Sequence, residues 1–351
     1  MTGVTLITGG AGFIGTNTAD RLLRSGERVR ILDNLSRDGV AQNLDWLQRT
    51  HGSRVEIEIG DVRDHQTANR VVRGARAIYH FAAQVAVTTS FDSPLEDAAT
   101  NLQGTLAMLE ATRLHAPAAP FVFTSTNKVY GALDDVKLVL DGDCYRPADA
   151  GLRRRGISEA RPLAFCTPYG CSKGAADQYA ADYARSFNLA TVIFRMSCIY
   201  GPHQFGNEGQ GWVAHFLKRA VADDPITIYG DGRQVRDLLF VEDLVDALLL
   251  AAARAGDLAG RAFNIGGGPG NARSLRQVVT MIGELRGASP EVLEDGWRTG
   301  DQRYYVSDTT SFQAATGWSP TVGPAQGIRR LHEWLLGDRG PERHVPAGVA
   351  A

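Results

Sequence analysis

Short runs of β-branched and aliphatic residues, apolar at successive positions, alternate along the chain with longer stretches whose apolar residues recur every three or four. The short runs "VTLITG" (4–9), "RVRILD" (28–33), "RVEIEI" (54–59), "AIYHFA" (77–82), "FVFTST" (121–126), "TVIFRM" (191–196) and "RAFNIG" (261–266) predict seven strands. Apolar character on both faces is expected of parallel strands covered by helices on both sides. Helical periodicity lies between them, as at 95–115, 168–187 and 241–256. The alternation predicts an α/β fold with a parallel sheet.

The pattern loses regularity in two places. Residues 132–166 show no clear period and include "GLRRRG", so a long loop with a solvated Arg run is expected. Past residue 197 the connections turn polar and Gly-rich, and helices return at 274–287 and 323–336. This predicts a first domain from 1–196 plus 237–268 and a smaller one from 197–236 plus 269–336, with a frayed tail over 337–351.

With 351 residues, 44% of them hydrophobic and 22% charged, the composition is that of a soluble globular protein with ample core. A formal charge of -2 gives no electrostatic reason to expect nucleic acid or an anionic membrane as partner. No apolar run reaches the roughly 18 residues of a membrane span, and "MTGVTLITGG" enters a strand without a signal-peptide pattern. Cys144, Cys166, Cys171 and Cys198 have neither zinc-ribbon nor redox-pair spacing, and the eight His form no HxH or HxxxH pair. A cytoplasmic, reducing setting and no metal site are expected.

Chemistry enters at "ITGGAGFIG" (7–15), which spaces Gly9, Gly12 and Gly15 between the first strand and the first helix. Such glycines permit a tight turn and let backbone N–H groups and a helix N-terminus approach a pyrophosphate. Asp33 ends the second strand eighteen residues beyond Gly15. A carboxylate there accepts both ribose hydroxyls and repels a 2′-phosphate, which favours NAD over NADP, although Arg37 nearby could accommodate the phosphate. In "GDVRD" (60–64), Asp61 stands where an adenine amino group could be read. "PYGCSK" places Tyr169 and Lys173 four apart, on one face of a helix. A free phenol is too weak a base at neutral pH, and a neighbouring ammonium would favour the phenolate. "TSTNKVYG" (124–131) follows the fifth strand, so Thr126 could orient a substrate hydroxyl for Tyr169.

"GGAGFIG", "GDVRD", "HFAAQ", "STNKVYG", "YGCSK", "YGDGRQVRD" and "FNIGGG" together resemble the NAD-dependent sugar-nucleotide epimerases and dehydratases, a branch of the extended short-chain dehydrogenases/reductases, over residues 3–336. The resemblance implies a Rossmann-type doubly wound sheet of about seven strands, a smaller α/β C-terminal substrate domain, and tightly bound NAD that is recycled. It implies a homodimer through two helices per subunit, here 95–115 and 168–187. The catalytic trio would be Thr126, Tyr169 and Lys173. The cofactor would be held by Gly9, Gly12, Phe13, Ile14, Asp33, Asn34, Asp61, Val62, Ala82, Ala83 and Gln84, together with Tyr169 and Lys173. The nucleotide sugar would meet Thr126, Asn127, Lys128, Gln210, Gly211, Trp212, Val213, Arg236 and Arg303.

Within that family, 4,6-dehydratases carry Asp-Glu after the Thr, and nucleotide-sugar decarboxylases carry Glu at the second position. Asn127 and Lys128 stand there instead, so elimination lacks its partner and epimerisation without net redox is expected. "PYGCSKGAADQYAADYARSF", "RMSCIYGPHQF", "GQGWVAHF" and "TGDQRYYVSD" resemble the CDP-paratose (CDP-tyvelose) 2-epimerases, which implies inversion at C2 of a CDP-hexose. Cys166-Thr167 and Pro202-His203-Gln204 depart from that pattern, where His-Ser and Pro-Arg-Gln are expected. A 4-epimerase acting on another nucleotide sugar, a net dehydrogenase and a catalytically idle NAD-binding sensor are the competing readings.

Overall fold

The computed structural model describes residues 3–337. All seven expected strands form one sheet, labelled β1 Val4–Thr8, β2 Val29–Asp33, β3 Val55–Ile59, β4 Ala75–His80, β5 Phe121–Thr126, β6 Thr191–Met196 and β7 Arg261–Ile265. The strands are parallel throughout, in the order β7-β6-β5-β4-β1-β2-β3. This is the doubly wound Rossmann-type topology. The chain reverses direction across the sheet between β1 and β4, and ligands bind beyond the strands' carboxyl ends at such a switch point.

Successive residues of the central strands feed opposite cores, as the period of two requires. Ile7, Tyr79, Val122, Val192 and Phe194 pack on one face with Leu23, Leu244 and Phe312. Leu6, Ile78, Phe121, Phe123 and Ile193 pack on the other with Met108 and Ala176. A third core, around Phe216, Leu217, Ile226, Phe240, Val278 and Leu331, lies apart from the main sheet. There Val235–Phe240 pairs in parallel with Cys198–Tyr200 and Tyr304–Tyr305, and antiparallel with Ala272–Ser274. Ile226–Tyr229 pairs in parallel with Val292–Asp295. The expected domain boundary near residue 237 therefore falls inside a strand.

Three expectations about elements are corrected. The 95–115 helix is not uniform: Pro94–Ala98 and Gly104–His115 are α-helical, and Ala99–Gln103 between them is a π-turn. The wider turn lets Asn101 hold the backbone of Gln84, accepting from its N–H at 2.9 Å and donating to its carbonyl at 3.1 Å. Residues 132–166 are not one irregular loop, since Leu138–Asp141 and Cys144–Pro147 form a hairpin and Ala150–Arg155 a short helix. The helix expected over 241–256 stops at Ala253, before a separate turn Ala255–Leu258. Residues 338–351 of the expected tail lie outside the described residues.

Candidate active site

The glycine turn is built by close approach. Gly9 has φ +65°, and a Cβ there would lie 2.7 Å from the Ala82 nitrogen. At Gly15 a Cβ would lie 2.3 Å from the Gly9 carbonyl oxygen, so the helix Phe13–Arg24 presses directly onto the turn. Gly12 caps that helix without any side-chain hydrogen bond, and a Cβ on Gly12 would meet only the Gly9 carbonyl within 4 Å. Free N–H groups at an uncapped helix head beside an open glycine face form a cradle for a pyrophosphate.

Asp33 accepts the N–H groups of Ala11 at 3.0 Å and Leu35 at 2.9 Å, which fixes its carboxylate beside the turn. Burial pushes its pKa up, while these N–H groups and the nearby Arg37 oppose the rise. Arg37 reaches away from the turn and donates to Gln210 Oε1 at 3.2 Å, linking the cofactor side to the loop that leads into the third core. Asp61 is already engaged: Arg63 donates to it from the backbone, Nε and Nη2, and Asn34 Nδ2 lies 3.3 Å from Oδ2. The Arg63 hydrogen bonds hold Asp61 down at about 2. Val62 is buried in the core against the helix Gly104–His115. Ala82 N donates to Thr8 Oγ1 at 3.3 Å, and Ala83 and Gln84 follow on the same connection.

Thr126 ends β5 and its hydroxyl accepts the Lys128 N–H at 3.2 Å, starting the short 3-10 turn Asn127–Tyr130. The same hydroxyl lies near the Tyr169 phenol and opposes the rise in its pKa. Tyr169 and Lys173 lie in the first two turns of the helix Thr167–Phe187, with Pro168 opening it. The Lys173 ammonium is expected to favour the phenolate; burial works against that form and pushes Tyr169 up to about 12, with the Asp97 charge adding to the rise and the Thr126 hydroxyl and the Arg37 charge opposing it. Lys173 is itself pulled down to about 7 by burial, against Asp177 and Asp97, and its ammonium stands 4.3 Å from the centroid of the Phe123 ring.

Thr126 and Tyr169 face a cavity of about 360 Å³ beyond the carboxyl ends of the strands, while Lys173 is buried behind its lining. Phe13 and Ile14 wall its cofactor side, Thr126, Asn127, Lys128 and Tyr169 its floor, and Gln210, Gly211, Trp212 and Arg236 its far side. Two expected substrate residues are not brought there. Val213 turns into the third core, and Arg303 lines a neighbouring cavity, stacked on Tyr145 and Trp297. Arg298, which was not singled out from sequence, lines the cavity and lies over the Tyr229 ring at 3.5 Å. Nothing local marks it; the pairing of Val292–Asp295 with Ile226–Tyr229 puts it there. Ser125 also lines the cavity, and among the described residues its buried hydroxyl has no hydrogen-bond partner.

The two departures from the expected pattern lie at the edges. Cys166 precedes the catalytic helix, and burial pushes its thiol up against the Lys128 charge. His203 bonds Asn43 at 3.0 Å and stacks between Trp46 and Trp334, at centroid distances of 4.3 and 5.4 Å. It therefore joins helices instead of lining the cavity.

Residues 5–266 match the model of the NAD dependent epimerase/dehydratase family. The chain belongs to that family. It is 39% identical to a CDP-paratose 2-epimerase of Salmonella typhi, over 94% of this chain and 98% of that protein. It is 33% identical to a UDP-glucose 4-epimerase of Mycolicibacterium smegmatis, over 94% and 98%. A dTDP-glucose 4,6-dehydratase of Streptomyces venezuelae solved with NAD bound superimposes with a TM-score of 0.81 at 29% identity, covering 96% of this chain and 98% of that one. The protein is thus an NAD-dependent enzyme of nucleotide-sugar chemistry, and its glycine cradle, uncapped helix head and Asp33 fit that cofactor. Among the described residues no helix is long and apolar enough to cross a membrane.

Proposed function

We propose that the enzyme epimerises a nucleotide sugar, inverting C2 of a CDP-hexose of the CDP-paratose/CDP-tyvelose type through a transient 2-keto sugar. The observation that carries this reading is the surroundings of Thr126. A Thr–Tyr pair suited to moving a hydroxyl proton faces the cavity, and the two residues after Thr126 offer an amide and an ammonium where elimination needs an acid. The relationship to the Salmonella typhi 2-epimerase supports C2 and cytidine.

In this reading the turn Gly9–Ile14 cradles the NAD pyrophosphate, Asp33 and Asn34 hold the adenosine ribose, and Lys173 reaches the nicotinamide ribose. Asp61, Val62 and Ala82–Gln84 complete the cofactor wall. When bound, NAD supplies the acceptor that takes a hydride from the sugar carbon and later returns it. As the phenolate, the form that the Lys173 ammonium and the Arg37 charge favour against burial, Tyr169 would accept the C2 hydroxyl proton at Oη, with Thr126 aligning that hydroxyl. Tyr169 holds the proton while the keto sugar presents its other face, then gives it back to the new alkoxide. Arg236 and Arg298 supply the positive charge for the diphosphate, and Trp212 borders the nucleotide. The division into a cofactor domain and a substrate domain, a homodimer, and a cytoplasmic setting belong to the same proposal.

The test is incubation of the purified protein, without added cofactor, with CDP-paratose, CDP-glucose and the UDP-, GDP- and dTDP-glucose counterparts, with products identified by proton NMR. C2-inverted product from a CDP sugar is expected. Inversion at C4 of any of them instead would transfer the protein to the 4-epimerases, and steady NADH accumulation with added NAD would make it a net dehydrogenase.

A further inference from the structure

Asn127 and Lys128 occupy the positions that carry acids in the dehydratases, and both commit their side chains to one distant segment. Lys128 Nζ donates to the Gly300 carbonyl at 2.9 Å. Asn127 Nδ2 donates to Gln302 Oε1 at 3.2 Å, and Gln302 Nε2 donates to the Gly131 carbonyl at 2.6 Å. Gln302 is fully buried, so this stitch is shielded from water. The segment held in this way bears the cavity wall residues Arg298, Thr299, Gly300 and Asp301. Asp301 in turn pairs with Arg236 at 2.6 Å. Gly300 takes φ +77°, and a Cβ there would lie 2.6 Å from Thr167 Cγ2, so the segment also abuts the head of the catalytic helix.

We propose that Lys128 is a positioning residue whose ammonium anchors the Arg298–Gln302 segment through the Gly300 carbonyl, and so sets where Arg236 and Arg298 stand relative to Tyr169. The proposal rests on the nucleotide-sugar reading above. A charged donor to a part-buried carbonyl is among the stronger hydrogen bonds a protein makes, and a chain segment without regular structure depends on such bonds for its place. The position that holds a chemical acid in dehydratases here holds the wall of the substrate cavity. Lys128 then acts on binding of the diphosphate and leaves the proton transfer to Thr126 and Tyr169.

The test compares wild type, Lys128→Met and Lys128→Arg by hydrogen exchange with mass spectrometry in the absence of sugar, then by steady-state kinetics on the CDP sugar. In K128M, amides of the Arg298–Gln302 segment are expected to exchange about tenfold faster or more, with the seven-stranded sheet unchanged. KM should rise about tenfold while kcat stays within about threefold, and K128R, which keeps a charged donor, should recover most of the protection. Unchanged exchange in K128M overturns the proposal. So does a kcat loss of about a hundredfold with KM unchanged, which would put the ammonium on the reacting sugar. Should K128M lose protection throughout, K128R decides: a protected segment supports the anchor and a selectively exposed one rejects it. If wild type turns over no CDP sugar, the epimerase reading fails while the exchange comparison still decides the anchor.

Discussion

At the scale of single residues, Asp33, Lys128, Tyr169 and Lys173 are governed by burial more than by their charged neighbours. Lys173 loses its proton near pH 7 in the folded protein, against 10.5 for an ordinary lysine. Below pH 7 both folded and unfolded chains carry the charge, and the folded state bears the full penalty of burying it. From pH 7 to about 10.5 the unfolded chain binds the extra proton, so this penalty fades as pH rises. Lys173→Met, with a side chain that can rest on Phe123, should therefore stabilise the cofactor-free protein most at and below pH 7. The gain should be a few kcal/mol, on the order of one per pKa unit, and should shrink as pH climbs towards 10. Urea unfolding of both proteins across that range measures it; Lys128, lowered to about 8 by burial, is present in both and cancels in the difference. A gain that grows with pH would mean that Lys173 is stabilised as the cation. The sequence placed Tyr169 and Lys173 on one helix face correctly, but the depth of their burial depends on what packs over them, which no local pattern records.

The elements that seat the cofactor were the most legible part of the chain. Strands β1, β2 and β5 are short runs of mostly apolar residues, β1 set between Gly3 and Gly9, β2 ending on Asp33 and β5 set between Pro120 and Asn127, so their existence and order follow from pattern alone. Features that need two elements at once were not legible. The π-turn Ala99–Gln103 is one, since its use becomes clear only when Asn101 meets Gln84, Asp97 and Ser172. Arg298 and Arg303 are another: both are single arginines between the helices Leu275–Arg286 and Thr310–Thr316, and only the pairing of distant strands shows that Arg298 reaches the substrate cavity while Arg303 does not. The glycine turn shows how firmly an element can fix a residue. Gly15→Ala would push a methyl group to 2.3 Å from the Gly9 carbonyl, which is backbone and cannot swing aside. The helix Phe13–Arg24 must back away, and a destabilisation of about 1–3 kcal/mol is expected. Purified Gly15→Ala protein should also release little or no NAD on denaturation, measured by chromatography of the supernatant against wild type. Wild-type NAD content would show that the helix head does not hold the pyrophosphate.

For the whole molecule, five of the thirteen exposed large apolar residues among the described residues lie on two neighbouring segments. Phe91, Leu95 and Leu114 lie on the segment from Val87 to His115, and Tyr179 and Phe187 on the helix Thr167–Phe187. Leu95 is 86% exposed, which is unusual for a leucine on a helix packed beside the catalytic one. The helices Gly104–His115 and Thr167–Phe187 touch each other through Tyr183, whose hydroxyl donates to Glu110 at 2.6 Å, and so lie side by side. Two copies related by a twofold axis would bury their outer surface in a four-helix arrangement, which is the homodimer proposed above. The catalytic helix would then be clamped between its own sheet and the partner. Leu95→Lys combined with Leu114→Asp places charges on that surface without touching the cavity, the glycine turn or the main core. Wild type is expected to elute at twice the chain mass in light-scattering chromatography and the double variant at the chain mass. The variant should also unfold at a lower temperature that no longer depends on protein concentration. A double variant that remains dimeric would place the contact elsewhere, and a monomeric wild type would leave these helix faces without the proposed partner.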